Sequence, residues 1–197
     1  MATPHQPVTR PSNWNLPNLI TVVRILLAPV FIWMLLADNH ADGALRWAAA
    51  VLFIIAIATD GIDGMIARRH NLVTDLGKIL DPIADKILTG GALVCLSILG
   101  ELPWWVTIVI LVREIGITVF RFVMLRDRVI PASRGGKLKT IAQSVSISLA
   151  LLPFWLVFGE WVHWLNTATM TIALLLTVVS GLDYLVSAWR LRKHDVA

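Results

Sequence analysis

The chain has a single cysteine and little charge: 15% of its 197 residues are Asp, Glu, Lys or Arg, against roughly 25% in an ordinary soluble domain. One cysteine excludes an internal disulfide. Its setting, Leu93-Val94-Cys95-Leu96, suits a small buried hydrophobe. The scarcity of charge, with 57% hydrophobic residues and a mean hydropathy of +0.74, excludes a disordered chain. Internal repeats and low-complexity tracts are absent, and no soluble domain is expected. The net charge is +4. In so apolar a chain a basic balance points to membrane orientation, and no nucleic-acid partner is expected.

Long apolar runs are what the sequence has in quantity. Six stretches, near 18–37, 44–67, 78–99, 103–125, 137–158 and 164–190, approach the roughly 20 residues that a helix needs to cross a bilayer. They predict an all-α integral membrane protein with six transmembrane helices in one bundle. Residues 1–17, with Pro4, Pro7, Pro11 and Pro17, form a cytoplasmic or interfacial lead-in, 18–190 the membrane domain and 191–197 a cytoplasmic tail. The first run is expected to remain as a span rather than be cleaved. It is long for a signal sequence, is interrupted by Arg24, and leads into the acidic Asp38-Asn39-His40-Ala41-Asp42.

Six spans put both termini on one side. That side collects sixteen basic and nine acidic residues, a balance of +7; the other has only Arg46 against Asp38, Asp42, Glu101 and Glu160, a balance of −3. The positive side is expected to be cytoplasmic, in a cell membrane. Trp47, Trp104, Trp105, Trp161 and Trp164 gather at the outer ends of the spans, and Trp14 and Trp189 near the inner ends, as interfacial aromatic belts do.

Residues 60 to 86 carry the chemistry. Asp60 and Asp63 are three apart at the end of the second span, and Asp81 and Asp85 are four apart at the start of the third, so each pair shares a helix face. A cytoplasmic hairpin joins the two, and antiparallel packing would gather four carboxylates in a small space. Uncompensated, that charge is prohibitive at a membrane edge. A hard divalent cation, Mg²⁺ or Mn²⁺, would relieve it, and an all-oxygen donor set with no His or Cys argues against zinc. Asp75, midway through the connection, reads as a solvated loop charge. Gly61, Gly64 and Gly77 fit either close helix packing or the approach of a flat ligand. Arg68, one turn beyond Gly64, and Arg69 fit either a phosphate contact or cytoplasmic anchoring.

The pattern Asp60-x2-Asp63-Gly64-x2-Ala67-Arg68-x8-Gly77-x3-Asp81-x3-Asp85 resembles, without departure, the signature of the CDP-alcohol phosphatidyltransferases. The resemblance extends to the six spans and to Asn15-Leu16-Pro17-Asn18-Leu19-Ile20-Thr21-x2-Arg24 at the entrance to the first. It implies an integral-membrane enzyme that moves a phosphatidyl group from a CDP-activated lipid to an alcohol and releases CMP. It further implies that Asp60, Asp63 and Asp81 hold metal at the CDP diphosphate and that Asp85 is both a further ligand and the general base. Gly64, Ala67 and Arg68 then line the nucleotide, with Asp60 and Gly77 also on the CDP-lipid side. A homodimer is implied as well, since family members commonly form one.

The second half points to the acceptor. Arg113 lies about 14 Å along its helix from Trp104, at 1.5 Å rise per residue, and reads either as an ion pair with Glu114 or a neighbouring acid, or as a substrate contact. Arg121 lies in the same span, and Ser133, Lys137 and Lys139 belong to the basic, glycine-bearing loop from Ile130 to Thr140 that opens the fifth span, suited to an anionic phosphate or to a positive cytoplasmic loop. Arg113-Glu114-Ile115-Gly116 and Ile130-Pro131-Ala132-Ser133 through Thr140 resemble the branch of the family whose acceptor is sn-glycerol 3-phosphate. Within the family, inositol phosphate and phosphatidylglycerol are the alternative acceptors.

Outside the family, a cation transporter would distribute acids over several spans and across the membrane depth. Here they crowd at one hairpin, and the last two spans have almost none beyond Asp183. A helical prenyltransferase would place its acidic motifs on separated helices.

Overall fold

The computed structural model describes residues 15–69, 74–124 and 134–194. It is all-helical among those residues: α1 (Leu16–Asp38), α2 (Ala44–Arg69), α3 (Asp75–Ile98), α4 (Trp104–Met124), α5 (Arg134–Leu151), the single turn α6 (Trp155–Phe158) and α7 (Trp161–His194). By length and composition, Leu16–Asp38, Ala44–Ile62 and Trp161–Val186 are able to cross a membrane. The helices α3, α4 and α5 contribute the charged groups Lys86, Glu114 and Lys139.

Helix boundaries follow local chemistry. The Asn15 side chain caps α1 by accepting from the Asn18 N–H at 3.0 Å, and Pro17 sits in the first turn, where its missing donor costs nothing. Thr74 caps α3 by accepting from the Gly77 N–H at 3.0 Å. Asp75 therefore opens a helix instead of lying mid-loop. The fifth span is shorter than the apolar run suggests. Pro153 has no N–H to continue the ladder, so α5 stops at Leu151 and the chain turns through α6 to Gly159, whose φ of 92° ends it.

The core runs along the bundle axis. Ala28, Phe31 and Leu35 of α1 meet Ala49, Ala50 and Phe53 of α2 and Leu88, Ala92, Leu93 and Leu96 of α3, with Ile110, Ile147 and Leu151 closing the far side. Phe31 and Phe53 pack with ring centroids 5.5 Å apart. Many outward side chains are large and apolar, among them Leu26, Ile55, Val112 and Val179. A soluble monomer would rarely expose so much apolar surface, whereas hydrocarbon is a matched solvent for it.

Helix α1 is the keystone. It packs extensively on both α2 and α3, while α2 and α3 touch only lightly. The hairpin acids are thus not gathered by direct packing of α2 on α3: α1 lies against both helices and reaches the acids of each.

The end of the bundle away from the acids is locked by Arg46, which is 1% exposed. Its guanidinium makes a two-pronged bond to Glu101 at 2.5 and 2.6 Å and donates to the carbonyls of Ala150 and Leu151 at 3.0 and 3.1 Å. Those carbonyls belong to the last turn of α5, left without helical partners by the Pro153 break, where the helix dipole also favours a cation. Trp155 covers the guanidinium at 4.9 Å. Arg46, the one Arg or Lys at this end among the described residues, is therefore a structural clamp. Trp104, Trp105, Trp161 and Trp164 are exposed at this end, at the starts of α4 and α7, while Trp47 packs edge-on against Phe154. Trp14 lies outside the described residues, as does the side chain of Trp189.

Candidate active site

At the opposite end, Asp60 near the end of α2 pairs with Arg24, which projects from the middle of α1 and is 2% exposed. One turn earlier on α1, the buried Thr21 hydroxyl donates to Asp81 Oδ1 at 2.7 Å. Two helices thus present their acids to one face of a third. Asp81 and Asp85 are both close enough to Asp60 to act on it electrostatically. Asp81 and Asp85 thus lie in the same region as Asp60, although among the described residues the three do not converge on one point. Asp63 lies on α2, but its side chain, like those of Ala67, Arg68 and Arg121, lies outside the described residues; Ser133 lies outside them altogether.

Gly77 sets the spacing of α1 and α3. A Cβ there would stand 2.7 Å from Asn18 Oδ1, so the close approach requires glycine. The Asn18 amide in turn donates to Thr74 Oγ1 at 2.8 Å, tying the N-terminal turn of α1 to the cap of α3. The close helix packing that one reading of Gly77 expected is present. Around Gly61 the space is open, with no atom within 4 Å of an added Cβ. Gly64 is partly exposed on the same helix.

A second cluster adjoins the acids. Lys86 of α3 lies between Asp85 at 2.9 Å and Glu114 of α4 at 2.7 Å. Glu114 also takes Arg113 at 2.9 Å and, across from α5, Lys139. Arg113 extends to the Ser180 hydroxyl on α7 at 2.8 Å. Of the two readings of Arg113, the ion pair with Glu114 is present. Lys139 is buried in the same cluster, whereas Lys137 is exposed on the first turns of α5 and lies apart from it. Of the expected acceptor residues, Arg113 and Lys139 meet here among the described residues; Lys86 joins them, and Glu114, expected only as a partner of Arg113, contacts all three. Beside Lys86, Pro82, Ile83, Ile87, Ile115 and Val119 line an apolar groove of about 260 Å³ between α3 and α4.

The donor chemistry of Asp60, Asp81 and Asp85 suits a hard divalent cation: carboxylate oxygens, without nitrogen or sulfur donors among them. Among the described residues no group of three or more His, Cys, Asp or Glu is already converged as a ligand cage. Arg24 and Lys86 supply positive charge to Asp60 and Asp85 instead.

Acids gathered on a hairpin beside a cationic cluster, in a bundle clad in apolar side chains, are the layout of an enzyme acting on charged groups at a membrane surface. The CDP-alcohol phosphatidyltransferase family model matches residues 14–184, and the chain belongs to that family of membrane transferases. It is 46% identical over 176 residues to a protein of Mycobacterium tuberculosis named "Probable phosphatidylglycerophosphate synthase", covering 89% of this chain and 82% of that one. It is 40% identical over 196 residues to the CDP-diacylglycerol--glycerol-3-phosphate 3-phosphatidyltransferase of Bacillus subtilis, covering 91% and 98%. A protein of the same name from Rickettsia typhi is 36% identical over 185 residues, covering 86% and 94%.

Proposed function

We propose that this chain transfers the phosphatidyl group of CDP-diacylglycerol to sn-glycerol 3-phosphate, giving phosphatidylglycerophosphate and CMP. The observation that carries the reading is the juxtaposition of the Asp60, Asp81 and Asp85 acids with the Lys86, Arg113 and Lys139 cations. Agreement with the names of relatives at 36 to 46% identity supports it. A diphosphate substrate calls for the first group, and a phosphorylated alcohol for the second.

In this reading Asp60, Asp63, Asp81 and Asp85 would hold a divalent cation, Mg²⁺ or Mn²⁺, which when bound draws charge from the diphosphate and eases the departure of CMP. Gly64, Ala67 and Arg68 line the nucleotide. The acceptor hydroxyl forms a bond to the phosphorus bearing the diacylglycerol, and the bond from that phosphorus to the oxygen bridging to CMP breaks. Asp85 takes the hydroxyl proton. Lys86 Nζ stands beside it at 2.9 Å and holds the carboxylate in place. The acyl chains stay in lipid next to the groove between α3 and α4.

The reading includes six spans, both termini and the site at the cytoplasmic face of the cell membrane, and a homodimer. The segregation of +7 and −3 between the two sides supports the orientation. Cysteine-accessibility labelling at Lys137 and Trp164 in whole cells and inverted vesicles tests the topology, and light scattering in detergent tests the dimer.

The reaction is tested with purified protein, CDP-diacylglycerol and each acceptor in turn. CMP and phosphatidylglycerophosphate should form with glycerol 3-phosphate. Release of CMP with inositol phosphate or phosphatidylglycerol, and not with glycerol 3-phosphate, would overturn the choice of acceptor.

A further inference from the structure

Glu114 stands outside the acidic signature yet draws together more of the bundle than any of the hairpin acids described. It is 5% exposed on α4. Its Oε1 takes Arg113 and Lys139, and its Oε2 takes Lys86 at 2.7 Å. The three cations come from α3, α4 and α5, and Arg113 adds α7 through Ser180. Gly181 leaves room for this reach, since a Cβ there would meet Arg113 Cγ at 3.1 Å and Nε at 3.2 Å.

Such an arrangement is over-compensated. Among the described residues in direct contact, even with Asp85 sharing Lys86, three cations face two carboxylates, which leaves one positive charge without a direct counter-ion in a largely buried place. Arg113 Nε is also buried there with no hydrogen-bond partner. Surplus buried charge and an unused donor are costly unless an anion completes the set. Without Glu114, mutual repulsion would drive Lys86, Arg113 and Lys139 apart.

We propose that Glu114 is a positioning residue for the acceptor: an internal anion that gathers Lys86, Arg113 and Lys139 into one cradle for the acceptor's phosphate group. Lys86 also contacts Asp85 at 2.9 Å. The cradle is thereby tied to the carboxylate that takes the hydroxyl proton, so a phosphate held at one end brings the hydroxyl to the other. The inference rests on the reading that the acceptor is phosphorylated, because a neutral alcohol has no use for a cationic cradle.

The test uses the full chain in detergent or nanodiscs, with Glu114→Asp and Glu114→Gln. Aspartate keeps the charge and so the compensation, but is one methylene too short to hold cations from α3 and α5 together. The KM for glycerol 3-phosphate should rise about tenfold or more while the KM for CDP-diacylglycerol stays within about twofold. Inorganic phosphate, as a competitive inhibitor against the acceptor, should weaken in parallel. Glutamine should shift both in the same direction and further. Equal changes in the two KM values, or an unchanged acceptor KM in folded Glu114→Asp, would overturn the inference. Loss of folded protein in both variants would assign Glu114 to the fold alone and overturn it equally. If wild-type protein takes inositol phosphate instead, the choice of acceptor fails, and the Glu114 inference is decided by the same comparison with that acceptor.

Discussion

Arg24 of α1 donates to the carboxylate of Asp60 on α2 while being 2% exposed itself. A charge so deeply placed in an apolar helix needs its partner, so Asp60 has a structural duty besides any role toward substrate. Asp81 is held differently, by a neutral Thr21 hydroxyl.

That difference separates stability from catalysis. Asp81→Asn keeps an oxygen that Thr21 can donate to, so it should melt within about 1 kcal/mol of wild type yet lose about 100-fold or more in the rate of CMP release. Asp60→Asn removes a counter-charge of Arg24 and should lose activity and also about 2 kcal/mol of stability. Thermal denaturation in detergent and a CMP-release assay, run on both variants, check the contrast. Equal stability losses would deny Asp60 its extra duty.

Chelation follows from the same geometry. Arg24, Thr21 and Lys86 engage the acids with protein groups, so EDTA should stop CMP release while leaving helicity and melting temperature unchanged, unlike a domain folded around its metal. Mg²⁺ or Mn²⁺ should restore activity and Zn²⁺ should not, because the described donors are all oxygen. Circular dichroism beside the activity assay distinguishes the two effects.

At Gly77 a methyl group would collide with Asn18 Oδ1. Gly77→Ala should push α1 from α3, costing about 1–3 kcal/mol and lowering turnover as Thr21 and Asp81 separate. Gly116→Ala meets no atom within 4 Å on α4 and should be neutral or stabilising by up to about 1 kcal/mol. A melting series covering both variants is sufficient; a stable, fully active Gly77→Ala would show that the helices need not approach so closely.

The Arg46 clamp predicts a loss of stability remote from the chemistry. Arg46→Ala strands Glu101 and the Ala150 and Leu151 carbonyls, and should cost about 3–5 kcal/mol with little change in KM for the protein that remains folded. Arg46→Lys should recover only part of it, since a single ammonium cannot reproduce the fork to Glu101 together with both carbonyl bonds. Unfolding in detergent and steady-state kinetics measure the two sides.

Much of this was open to reading in the chain itself, because apolar runs of membrane length and carboxylates at three- and four-residue spacing are local patterns. Helices α1, α2, α3 and α4 lie close to the runs that announce them. The break at Pro153 was also local: a proline deep in an apolar run removes a donor, and the hydrophobic residues on both sides of it, Leu149 to Leu152 and Phe154 to Phe158, obscured it. What could not be read was pairing between helices. Spacing shows that Asp60 and Asp63 share a face but does not reveal that α1 carries the groups that meet Asp60 and Asp81; the only signal was an arginine and polar neighbours inside a first span otherwise fit for lipid. Likewise Arg113 beside Glu114 was visible as a pair, but Lys86 and Lys139 reach that carboxylate only through the packing of α3 and α5.

The dependence of the acids on α1 also has a meaning in time. The partners seen for Asp60, Asp81 and Asp85 fall between Thr21 and Lys86. In a chain emerging from the ribosome, the partners of these acids are therefore all present once the first three helices have been made. The cradle around Glu114 must wait for α5 and α7. The acidic end of the bundle thus draws on the first three helices alone, and the cationic end needs nearly the whole chain.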